Sequence, residues 1–110
     1  MKKGLELIGE ERQRHFDVEG WTPEHDREHS NFELSTAACC YAQMGAGGPY
    51  SHPTRGRPPE GWPWHPEWWK PNEDPVRNLV KAGALIAAEI DRLLAEREDQ
   101  ATSARADAQS

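Results

Sequence analysis

The residues best placed to do chemistry lie in GWTPEHDREHS (20–30), where His25 and His29 stand four positions apart with Asp26 beside them. In a helical turn the two imidazoles share one face, a spacing that can hold a transition metal. Two ligands do not complete a site, and nothing in the sequence brings His15, His52 or His65 to this turn. The simpler expectation is that His25, Asp26 and His29 cap helix ends or hydrogen-bond across a turn, with no metal and no cofactor bound. A second candidate set is Glu33, Glu89 and Asp91, which points to acid–base or magnesium-dependent pyrophosphohydrolase chemistry. Glu89 and Asp91 are two helical positions apart, about 200° around the axis, so they cannot act on one substrate together. Cys39 and Cys40 are adjacent in a predicted helix, where their side chains diverge, and read as small packing residues rather than a disulfide or a nucleophile. No catalytic constellation results.

The aromatic residues suggest binding instead. Trp21 and the run WPWHPEWWKP (62–71) supply flat, rigid faces, and Arg77 and Lys81 follow a few residues later. Trp21, Trp64 and Trp69 could stack on a base or nicotinamide-like ring, at about 1–3 kcal/mol per base, while Arg77 and Lys81 meet phosphate. His25, Asp26 and His29 would then hydrogen-bond the polar edges of the ring. A plainer reading, compatible with this one, has the tryptophans roofing a thin core.

These side chains need elements to position them. Leu5 to about Phe16 reads as a short amphipathic helix with Leu5, Ile8 and Phe16 inward. A second helix starts at Ser30, whose spacing to Glu33 suits a capping box, and runs to about Gln43 with Leu34, Ala37, Ala38 and Tyr41 inward. Glycines and prolines then dominate residues 45–73, which predicts a long loop. Asp74-Pro75 restarts helix as an N-cap and first-turn proline. From there to about Glu96, Val76, Leu79, Val80, Gly83, Ile86, Ala87, Ile90, Leu93 and Leu94 recur at steps of three and four. This stripe is expected to face the core, with Gly83 admitting a closely packed partner. The expected fold is mainly α: a small three-helix domain over 1–96 with a long Trp/Pro-rich loop, followed by a flexible, disordered tail over 97–110.

The balance of the chain narrows the partners. Nineteen acidic residues against thirteen basic ones give a formal charge of -6, which disfavours general nucleic-acid binding. Charges follow Leu5 too soon for a signal peptide, and no apolar run approaches the roughly 20 residues of a membrane span. With adjacent cysteines suited to reducing conditions, the expected location is the cytoplasm. Hydrophobic residues make up 35% of the 110, so the core is thin, and a second subunit, as in a homo-oligomer, would support it.

Two resemblances add to this reading. The segments ERQRHFDVEGWTPEHDREH (11–29), FELSTAACCYA (32–42), WPWHPEWWKP (62–71) and RNLVKAGALIAAEIDRL (77–93) together resemble a family of small phage and prophage proteins, across most of residues 11–93. That resemblance implies an accessory protein acting in the host cytoplasm and brings no established activity. The aromatic faces beside Arg77 and Lys81 make a small nucleotide-like ligand or a host protein the expected partner. The front part is also similar to the ryanodine-receptor-type repeat domain, with Arg14, Gly20, Trp21, Thr22, Asp26, His29 and Leu34 in matching order. Pro23 and Glu24 replace the tyrosine and glycine of that pattern, and the Trp-rich segment has no counterpart in it. This similarity implies a ligand-sensing module for nucleotide-derived signals. The expected function is therefore non-enzymatic nucleotide binding that sequesters a host immune signal. The alternatives are a metal-dependent nucleotide hydrolase using His25, Asp26, His29 and Glu33, and a structural or protein-binding homo-oligomer.

Overall fold

The computed structural model describes residues 1–21, 32–45 and 57–109. Among them are three α-helices, α1 (Gly4–Asp17), α2 (Glu33–Gln43) and α3 (Pro75–Gln109), and one 3-10 turn at Pro66–Trp68. The mainly helical, three-helix expectation holds. α3 is the hub, with α1 and α2 each packed against it. No helix among the described residues is long and apolar enough to cross a membrane.

α2 follows its pattern: Leu34, Ala37, Ala38 and Tyr41 are buried, Cys40 is buried beside them, and Cys39 is exposed, so the two thiols diverge as expected. Burial pushes the Cys40 thiol up, away from reactivity. The start of α2 differs from expectation. Glu33 is its first helical residue, preceded by Phe32 in the left-handed region at φ 66°, an unusual conformation for a bulky side chain. Ser30, the other half of the expected capping box, lies outside the described residues.

α3 starts as predicted, with the Asp74 carboxylate accepting from the Val76 N–H at 3.0 Å. It does not stop near Glu96. The helix continues to Gln109, and residues 96–107 are exposed on every side. Residues 97–109 contain no glycine or proline and are rich in Ala, Arg and Gln, which favours helix without any packing. Apolar periodicity ends near Leu94 because packing ends there, and it says nothing about helicity beyond that point.

The inward faces of α1 and α3 are the larger corrections. α1 buries Glu11, Arg12 and His15 and leaves Leu5 83% exposed. α3 buries Asn78, Val80, Ala82, Ala84, Leu85, Ala88 and Glu89, whereas Val76, Leu79, Ile86, Ile90, Leu93 and Leu94 are exposed. Its small residues let α1 and α2 come close, and ion pairs and hydrogen bonds fix them. Gly83 does meet a partner. A Cβ placed on it would lie 2.6 Å from Ile8 Cδ1, so the Ile8 side chain of α1 fills the space a larger residue would occupy.

Glu89 and Asp91 point to different neighbours, as their spacing requires. Asp91 Oδ2 accepts from Arg12 Nε and Nη2 at 3.2 and 3.1 Å, tying α3 to α1. Glu89 accepts from Ser35 Oγ at 2.7 Å, tying α3 to α2, and from Arg92 Nε at 2.6 Å. Desolvation pushes the Glu89 carboxyl up, but the Ser35 and Arg92 hydrogen bonds outweigh it and leave it below the ordinary 4.5. A depressed carboxyl adds stability that is present above 4.5 and lost as pH falls through its folded-state value. Glu89→Gln should therefore lower stability near neutral pH and flatten the acid side of the stability curve. Thermal melts from neutral pH downward check this, and a parallel displacement of the two curves would refute it.

Candidate functional site

α1 and the loop before α3 enclose an open cleft of about 600 Å³ over α3, a size that suits a small ligand. Its walls are largely aromatic: Trp21 comes from beyond the end of α1, Trp62, Trp64 and Trp68 from the loop, and Tyr41 from α2. Most of these rings pack on neighbouring rings, whereas Trp68 is exposed. The Trp21 N–H donates to the His15 carbonyl at 2.8 Å, and the Trp21 ring lies 4.1 Å from the buried His15 imidazole, centroid to centroid. Prolines keep the loop out of helix, so its stability comes from side chains. Trp62 Nε1 donates to the His65 carbonyl at 3.2 Å, and His65 Nδ1 accepts the Glu67 N–H to cap the 3-10 turn. Trp62 meets Trp64 and Trp69 edge-on at 5.3 and 4.9 Å, a favourable arrangement of ring quadrupoles. The Lys70 N–H donates to the Tyr41 hydroxyl at 3.2 Å, fastening the loop to α2.

Charge is concentrated along the α1 side. The Glu11 side chain is fully buried and accepts from Arg14 Nε on one oxygen and from Arg77 Nη2 on the other. Arg14 Nη1 continues to Glu19 at 2.6 Å. Desolvation lowers the Arg14 pKa, but the hydrogen bonds it donates to Glu19 and Glu11 raise it by more, so its charge is fixed. Lys81 donates to the Lys70 carbonyl at 2.6 Å and lies 5.5 Å from the Tyr41 ring centroid. Its pKa is pushed below 10.5, first by desolvation and then by Arg77, with Arg14 and Lys70 acting in the same direction and Glu11 opposing them. Cations thus set the field around this amine in a chain of net charge -6. Burial raises the Tyr41 phenol and more than offsets the Lys70 N–H, so it stays protonated.

The cleft's carboxylates, Glu11 and Glu19, are both engaged by Arg14, and of its two lysines Lys81 donates to the Lys70 carbonyl. No protein family, characterised protein or solved structure matches this chain. The functional reading therefore rests on the cleft.

Of the residues singled out from sequence, Trp21, Trp64 and Lys81 are brought together here. Trp69 is not a ligand face. It is 6% exposed and packs in the core against Tyr41, 4.7 Å away, and Trp62, and its Nε1 has no acceptor among the described residues. The aromatic run is thus divided, with Trp69 filling the core and the others lining the cleft. Arg77 does not line it either, because its guanidinium turns to Glu11. His25, Asp26 and His29 lie outside the described residues.

Glu11, Arg14 and His15 are cleft residues that the sequence does not assign to a binding surface. Their spacing of three and four puts them on one face of α1, a signal that was available. A charged helix face is ordinarily the solvent face, so this spacing alone does not turn it inward.

Proposed function

We propose that this chain is a non-enzymatic binding protein that holds a small, planar, anionic ligand of the nucleotide type in the cleft between α1 and the Trp loop. The observation that carries this reading is a cleft walled by Trp21, Trp62 and Trp64 with Lys81 in it, an amine around which cations predominate. The indole faces accept any π-system, and the local field favours a negative group beside it. The resemblance to small phage and prophage proteins gives the binding a purpose, which is to withhold a host nucleotide signal.

Titration with nucleoside monophosphates, cyclic dinucleotides and ADP-ribose, read by tryptophan fluorescence and calorimetry, tests the proposal. Saturable quenching by at least one of them is expected, without phosphate release in the presence of Mg²⁺ or Mn²⁺. Trp21→Ala and Lys81→Met should each weaken the binding by about tenfold or more, the loss of one stacking or charge contact. Silence across the panel overturns the reading. Because the Lys81 pKa is lowered, affinity should also fall with rising pH before the ordinary lysine value of 10.5 is reached. Lys81→Arg, which keeps its charge, should remove that alkaline loss, and a profile identical to wild type would exclude Lys81 as the anion contact.

A further inference from the structure

The side of α3 that faces away from the cleft carries most of its bulky aliphatic residues. Val76, Leu79, Ile86, Ile90, Leu93 and Leu94 are each between 40% and 53% exposed, and Leu79 lies against the end of α2, where its side chain meets Gly45. Lys81 and Leu85, which line the cleft, lie about half a turn around the helix from this stripe. The steps from Val76 through Leu79, Gly83, Ile86 and Ile90 to Leu93 are three, four, three, four and three, the rhythm of helices that pair along a seam. Ile8 of α1 lies over Gly83, so that position of the rhythm is taken within the chain and the outward seam is carried by the six aliphatic residues on either side of it.

We infer that this stripe is the seam of a homodimer in which α3 lies antiparallel against α3 of a second copy. Six half-exposed aliphatic side chains leave on the order of 500 Å² of contiguous apolar surface, near the upper limit for a monomer. With a polar rim, that area approaches the roughly 800 Å² per partner of a stable interface. Ala82, Ala84 and Ala88 are buried while the isoleucines and every leucine except Leu85 face out, and a helix apolar on both sides is a buried helix.

Charge decides the direction. The next position of the rhythm after Leu93 is Arg97. Parallel pairing would set Arg97 against a second Arg97 in the seam. Antiparallel pairing centred on Ile86 sets Leu79 against Leu93 and brings Arg97 to Glu73 and Asp74 at the start of the opposite helix, where charges are complementary. In this arrangement both clefts stay open on the outer faces.

Sedimentation equilibrium of the full chain should give twice the monomer mass of 12.4 kDa. Ile86→Glu, at an exposed position, should weaken the dimer on the order of 100-fold, since the substitution enters the seam twice, while leaving helical circular dichroism in place. A wild-type monomer at about 0.1 mM, or a dimer indifferent to Ile86→Glu, overturns the seam. In a Cys39→Ser, Cys40→Ala background, Ile86→Cys should cross-link to its symmetry mate and Leu93→Cys should not. Equal cross-linking of the two overturns the antiparallel direction.

Discussion

Glu11→Gln is expected to lower stability by about 2–3 kcal/mol and, at the same time, to strengthen anion binding in the cleft. Both effects follow from the burial of Glu11 between two arginines from different helices, Arg14 on α1 and Arg77 on α3. Removing one member of a buried ion pair ordinarily costs about 3–5 kcal/mol, because its partner is left desolvated and unpaired. Here the arginine side chains are 38% and 36% exposed, so they can turn toward water, which places the loss at the lower end. The gain in binding comes from the field. Glu11 is the carboxylate that opposes Arg77, Arg14 and Lys70 at Lys81, and neutralising it leaves those cations unopposed. An increase in affinity of roughly fivefold, about 1 kcal/mol, is reasonable for a charge at this range near a surface. Urea denaturation and calorimetry near neutral pH measure the two effects separately. Unchanged stability would mean that the ion pair does not hold α1 on α3, and weakened binding would mean that Glu11 itself contacts the ligand.

Asn78→Ala should cost about 3 kcal/mol, the larger single loss for a residue that touches no ligand. Asn78 is 1% exposed, and its amide does three things. Oδ1 accepts the Asn72 N–H at 2.7 Å, and Nδ2 donates to the carbonyls of Asn72 and Met44 at 2.8 and 3.4 Å. One side chain thereby ties the end of the Trp loop and the end of α2 to the first turns of α3. Alanine leaves these backbone groups without their partners and opens a small cavity, each worth about 1–3 kcal/mol. The exposed position of Asn72 lets water recover part of the loss. Asn78→Asp should be no milder, since it turns an oxygen toward two carbonyls. Denaturant midpoints check the cost. The same variants should weaken ligand-induced quenching, because Trp62 and Trp64 are set by the loop that Asn78 anchors, and full retention of quenching would show that the loop is held elsewhere.

The tryptophans show how far the sequence can locate a site. Clustered aromatic residues near basic ones predict a binding surface, and Trp21, Trp64 and Lys81 do share a cleft. The same reasoning cannot tell Trp69 from Trp68, although one is in the core and the other 64% exposed. Neighbouring residues in an irregular loop have no periodicity to assign them to a side. Arg77 illustrates a second limit. Its place near the cleft is legible from its position in α3, but its engagement with Glu11 depends on a residue 66 positions away.

By itself, the sequence determined the local features: three helical segments, the Asp74-Pro75 start of α3, the inward stripe of α2 and the divergence of Cys39 from Cys40. Capping, propensity and small-residue spacing act within a few residues, so they can be read directly. Tertiary structure alone decided which faces are inside. α1 turns Glu11, Arg12 and His15 inward because Arg77 and Asp91 on α3 are there to meet Glu11 and Arg12. α3 turns its alanines inward because α1 and α2 approach closely, and this leaves the bulkier stripe facing out. Hydrophobic periodicity reports that a face is suited to burial. It does not say whether the partner that buries it belongs to the same chain.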